Sequence, residues 1–227
     1  MTTEDMTCEY CKKEFKRPSS LLSHSCEKKR RFLAKDDPGV RLGFYAFLKF
    51  YEISAGNHKP RTIMDFINSP YYLAFVKFGI YSVNTKIINP MRFVEYLLKN
   101  NKKIDHWCKD TSYTAFLIDY LRVEDVSDAL SRAVEYSITW QEKIEHPAKD
   151  VLRYGNVNAN LHAIVAGRLS PWVLYSSDSG QKFLSELTSD QIAMIWPYID
   201  TMYWQKIMLN RPEDQEYAQD ILRQAGW

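Results

Sequence analysis

The stretch CEYCKKEFKRPSSLLSHSC, residues 8–26, decides how the front of this chain is read. It holds three of the four cysteines and one of the five histidines. Cys8 and Cys11 have CxxC spacing, that of a tight knuckle aiming two thiolates at one ion. Phe15 lies four residues after Cys11, Leu21 six after Phe15, and His24 three after Leu21. On a short helix Leu21 and His24 share a face, so a small apolar plug sits beside the ligands. A peptide this short cannot bury enough surface to fold alone. A metal supplies the missing free energy, ~10–16 kcal/mol for structural zinc at neutral pH. Soft thiolates joined by an imidazole favour zinc over calcium or magnesium, so zinc is the expected cofactor.

In register, Cys8, Cys11, Phe15, Leu21 and His24 resemble the two-Cys two-His zinc finger, a ββα module, over roughly a tenth of the chain. The resemblance departs after His24. That family sets its fourth ligand several residues beyond the first histidine, whereas the nearest donor here is Cys26, two residues on. Residues i and i+2 of an α-helix point ~200° apart. Either the helix unwinds at Ser25, or Cys26 is not a ligand. Unwinding is favoured, because structural zinc rarely keeps a free position. The expected ligands are therefore Cys8, Cys11, His24 and Cys26. The resemblance also implies base contacts from the residue before the helix and from its third and sixth residues. By register these are Arg17, Ser20 and Ser23. Arginine suits a bidentate grip on guanine, whereas the serines are weak readers.

The run EKKRR follows directly. Residues 1–35 carry nine Lys and Arg against five Asp and Glu, whereas residues 36–227 carry 21 against 23. The basic character is local, so a polyanion site is expected to be local too. Lys28, Lys29, Arg30 and Arg31 can neutralise phosphates without regard to sequence. Asp36, Asp37, Pro38 and Gly39 then punctuate the chain. The expected organisation is a finger with a basic extension over residues 1–35 and a helical domain over residues 36–227.

From Pro38 onward the punctuation is helical. Asp37-Pro38, Ser69-Pro70, Asn89-Pro90 and Ser170-Pro171 each place a capping side chain before a proline, which is how helices begin. Thr62 and Asp65 have capping-box spacing. Helices are expected over 38–54, 70–83, 90–100, 112–122 and 125–145, with shorter ones following to residue 225. Residues 70–83 are apolar almost all round, so that helix is expected to be central and buried. In 125–145 the inward stripe reads as Ala129, Ala133, Val134 and Ile138. No useful alternating β run appears after residue 36. The expected fold class is all-α, a helical main domain preceded by a small ββα finger.

Other features have plainer readings. Asn158–Ser176 outlines a helix-turn-helix around Gly167, but its second helix is nearly uncharged and reads as an ordinary αα corner. FYAFLKFY and YYLAFVKFG have helical spacing that makes their aromatics core rather than base-stacking surface. Cys108 lacks an oriented base, and Glu142, Glu145 and His146 form only half of a metal helix. No phosphate-cradling glycine loop is present, so an enzyme is not expected and no small-molecule substrate is identified. MTTEDMT has no secretory pattern, YYLAFVKFGIY is too short to span a bilayer, and the cysteine usage fits a reducing compartment. A soluble, intracellular protein without membrane contact is expected.

The run CEYCKKEFKRPSSLLSHSCEKKRR, with SPYYLAFVKFG and LRYGNVN, also resembles a protein family of large tailed phages. That implies a setting, the host cytoplasm, and no activity. The sequence thus points to a zinc-binding, nucleic-acid-binding accessory protein in transcription, replication or packaging. The competing reading is a protein-interaction adaptor, docking on a polymerase or assembly component without touching nucleic acid.

Overall fold

Caps set where the helices of this chain begin. Asn89 accepts the Arg92 N–H at 3.2 Å, and Ser170 accepts that of Trp172 at 3.4 Å. Thr62 and Asp65 form the reciprocal capping box. Each bond satisfies a donor that the first helical turn leaves unpaired. Ser69 acts one step earlier: its hydroxyl accepts the Tyr71 N–H, and the helix starts at Tyr72.

The computed structural model describes residues 6–56 and 60–227. Its helices are α1 (Pro18–Leu22), α2 (Glu27–Leu33), α3 (Pro38–Ala55), α4 (Ile63–Asn68), α5 (Tyr72–Thr85), α6 (Pro90–Lys99), α7 (Asp110–Leu121), α8 (Val126–Gln141), α9 (Val151–Tyr154), α10 (Val157–Val165), α11 (Pro171–Ser176), α12 (Asp178–Ser185), α13 (Ser189–Ile199), α14 (Thr201–Asn210) and α15 (Pro212–Gln224). The fold is all-α. The expected ββα finger is not formed: among the described residues the β structure is one isolated antiparallel bridge, Thr7 to Glu14. The knuckle turn consumes the residues between them, and Pro18, which has no N–H to give a ladder, opens α1. None of the described helices is long and apolar enough to cross a membrane.

The chain divides into two compact units, Met1–Tyr113 and Thr114–Trp227. The boundary expected near residue 36 lies inside the first. That unit is built on α3 against α5, which cross at backbone contact. A Cβ on Gly79 would stand 1.9 Å from the Gly39 carbonyl oxygen and 2.6 Å from the Gly43 nitrogen. Around the crossing lie Phe47, Phe66, Phe75, Phe78, Phe93 and Trp107, all essentially inaccessible. Rings of Phe75 and Phe78 meet Trp107 edge-on at 5.9 and 5.4 Å, a favoured aromatic geometry. Although apolar almost all round, α5 is buried on one face only. The glycine-lined crossing covers the face of Phe75, Phe78 and Gly79, while Leu73, Ile80 and Val83 stay exposed.

In the second unit, Trp172, Val173 and Leu174 of α11 are fully buried. The helix after Gly167 is therefore core and cannot enter a groove. α8 buries Val126, Ala129, Leu130, Ala133 and Ser137, whereas the expected Val134 and Ile138 are exposed. Ser137 explains the shift: its hydroxyl donates back to the Ala133 carbonyl, so a polar residue can face inward. Glu124, also buried, pairs with Arg132 and accepts the Ser170 hydroxyl at 2.8 Å. Arg132 Nε donates to the Gly167 carbonyl at 3.1 Å, clasping the α10–α11 turn.

Candidate metal centre

Three backbone bonds shape the knuckle. The Cys8 N–H donates to the Lys13 carbonyl at 2.9 Å, the Lys12 N–H to that of Cys8 at 2.8 Å, and the Phe15 N–H to that of Met6 at 2.9 Å. Tight turning aims amides at the sulfurs. The Cys11 backbone N–H helps hold the Cys8 thiol below its ordinary pKa. For Cys11 the Lys13 amide also pulls downward, but desolvation and the neighbouring Cys8 and Cys26 sulfurs leave it raised. Crowded thiolates repel one another, and a bound cation removes that repulsion.

The remaining two donors come from the break between α1 and α2. α1 lasts five residues and ends at Leu22, with Ser23 as its C-cap. His24, Ser25 and Cys26 belong to no helix, and Cys26 is extended, at φ −89° and ψ 162°. With the helix interrupted there, His24 and Cys26 escape the ~200° conflict of a continuous helix. Cys26 then caps α2, its sulfur accepting the Lys29 N–H at 3.4 Å.

Cys8, Cys11, His24 and Cys26 form a group that could hold a metal ion, with all four donor atoms within 4.8 Å of one another. Cys8 Sγ lies 4.0 Å from Cys26 Sγ, and Cys11 Sγ 3.3 Å from His24 Nε2. Zinc–thiolate and zinc–imidazole bonds give a tetrahedron with edges of about 3.6–3.8 Å, which these separations bracket. The Phe15 ring packs 4.7 Å from that of His24 and fixes its plane.

The polyanion candidates divide. Arg17, Ser20 and Ser23 are exposed, Arg17 as the N-cap of α1 and Ser23 as its C-cap. Lys28 and Arg30 are exposed on α2. Lys29 is half-buried, with Nζ 3.5 Å from the His24 carbonyl oxygen. Arg31 is committed to the fold. It donates to the Ile67 carbonyl at 2.8 Å, lies 4.3 Å over the Tyr72 ring and pairs with Glu27. Sequence reading missed that anchor because its main partner is a backbone carbonyl on α4.

Elsewhere, burial pushes the Cys108 thiol up, opposite to the shift an activated nucleophile needs. His146 stacks on Tyr154 at 4.6 Å. Lys49 pairs with Glu95 at 2.8 Å. No protein-family model matches the chain, and neither a curated protein nor a solved structure is detectably similar to it. The phage resemblance therefore rests only on the residues that suggested it.

Proposed function

We propose that residues 6–35 form a zinc-dependent head that grips nucleic acid through its phosphates, making the protein an accessory factor in transcription, replication or packaging. One observation carries this reading: Cys26 both belongs to the metal-competent group and caps the helix bearing Lys28 and Arg30. The metal site and the cationic helix are thus one piece of construction. Three thiolates and one imidazole suit zinc, in a closed structural site without an open coordination position. Arg17, Lys28 and Arg30 supply exposed positive charge, with Lys29 beside them. Phosphate neutralisation releases condensed counterions, which makes binding strongly salt-dependent and largely indifferent to sequence.

Fluorescence anisotropy of the full chain against duplex DNA, single-stranded DNA and RNA tests this. Binding should fall steeply with salt and be lost on chelation. Absence of binding to all three at low salt would refute the reading.

A protein-interaction adaptor is the second reading. It is favoured by Met202 and Leu209, seven residues apart on α14 and 81% and 79% exposed. Seven residues are close to two helical turns, so both lie on one face. An adaptor would survive the loss of nucleic-acid binding.

A further inference from the structure

An open concavity of about 690 Å³ adjoins the metal centre, lined by Glu9, Tyr10 and Lys12 of the knuckle, Lys28 and Phe32 of α2, and Met64 of α4. Its wall is aromatic: the Tyr10 and Phe32 ring centroids are 5.1 Å apart. Its rim is cationic, with Lys12 and Lys28 both exposed, and Lys35 Nζ lies 4.4 Å over the Phe32 ring. Glu9 is the one carboxylate in the lining. Lys12 reaches that rim from the knuckle turn itself. It holds φ at +60°, a left-handed conformation in which glycine would be unstrained. The knuckle turn sets this conformation, the Lys12 N–H donating to the Cys8 carbonyl at 2.8 Å.

We infer that this concavity takes an unpaired base of single-stranded nucleic acid, stacked on Tyr10, with flanking phosphates on Lys12 and Lys28. The inference rests on the nucleic-acid reading above and narrows it to one ligand class. Its volume falls within the range of small-ligand sites. Aromatic stacking is indifferent to base identity, because every base has a π-face. Duplex DNA hides those faces between neighbouring pairs, so it can use the lysines but not the aromatic wall. Because Tyr10 and Lys12 belong to the knuckle, the site depends on the metal that shapes it.

The test uses the full zinc-loaded chain, a labelled oligothymidylate and a blunt duplex of equal length, with zinc content measured for each variant. Wild type should prefer the oligothymidylate. Tyr10→Leu keeps an apolar side chain against Phe32 but has no π-face. It should weaken oligothymidylate binding about 5- to 150-fold and leave duplex binding unchanged. Tyr10→Phe should match wild type. Lys12→Gly should retain zinc at least as firmly as wild type, yet flatten the single-strand salt slope by ~0.7. Tyr10→Leu binding oligothymidylate as wild type does, or losing duplex affinity equally, overturns the inference. Duplex binding without single-strand preference also overturns it but leaves the phosphate-binding reading standing. No binding to either probe removes both.

Discussion

Arg31 donates a hydrogen bond to the carbonyl oxygen of Ile67 across 2.8 Å, tying the helix that Cys26 caps to α4. The same guanidinium covers the Tyr72 ring, so it spends its charge inside the first unit. A charged hydrogen bond of this kind contributes about 1.5–3 kcal/mol. Arg31→Ala should therefore cost about 2 kcal/mol in chemical denaturation and leave the salt slope of nucleic-acid binding unchanged. Lys28→Ala with Arg30→Ala should do the reverse, flattening the duplex slope by up to ~1.8 at a stability cost within about 0.5 kcal/mol. Equal slopes for the two proteins would show that the exposed lysine and arginine do not touch phosphate.

Cys26 has two roles, which substitution can separate. Cys26→Ser keeps a capping oxygen and loses the thiolate; Cys26→Ala loses both. Both should weaken zinc retention, measured by competition with a chromophoric chelator. Alanine should cost α2 about a further 1 kcal/mol, the usual value of an N-cap. Identical stabilities for the two variants would mean that the cap at Lys29 contributes nothing.

Glu124 and Arg132 differ in what they leave behind. The Glu124 side chain is wholly buried, whereas that of Arg132 is 17% exposed. Arg132→Ala strands a buried carboxylate and should cost about 3–5 kcal/mol. Glu124→Gln leaves an arginine that can reach water and should cost less. Burial pushes the Glu124 carboxyl above its ordinary 4.5, against the pull of Arg132. The native state thus holds this proton to higher pH than the unfolded chain, so stability from this group falls as pH rises from the unfolded value through the folded one. Removing Arg132 raises the carboxyl further. The Arg132→Ala deficit should shrink as pH is lowered, read by denaturation at several pH values. A deficit that grows on acidification contradicts the assignment.

Gly79 sets propensity against geometry. On helix propensity alone, Gly→Ala would stabilise by about 1 kcal/mol. At this site the new Cβ would stand 1.9 Å from the Gly39 carbonyl oxygen, so one of two helix backbones must move. Overpacking of this kind costs about 1–3 kcal/mol or more. Gly79→Ala should therefore lower the melting temperature, and a rise would show that α3 and α5 do not cross this closely.

Much of the helical order was legible because caps and prolines act locally. Asn89-Pro90 and Ser170-Pro171 start helices where their spacing says they should. The crossing of α3 and α5 also left a trace, Gly39 and Gly43 four apart opposite Gly79, which helical periodicity alone passed over. The donor set was legible from side-chain chemistry, but its frame was not. Three ligands and two apolar positions in finger register do not require strands, and so few residues flank the knuckle that one bridge forms. Ser137 misled the reading of α8 because its hydroxyl is satisfied within its own helix. The division between Tyr113 and Thr114 falls within α7, where no change of composition or punctuation marks it.

The most direct measurement is native mass spectrometry of the full chain, purified without chelators, beside Cys8→Ser and Cys11→Ser. The donor geometry of Cys8, Cys11, His24 and Cys26 calls for one zinc per wild-type chain, with the metal lost from both variants. A wild-type chain that carries no metal, or cysteine variants that hold zinc as firmly as wild type, would contradict the metal centre on which the phosphate-binding head depends.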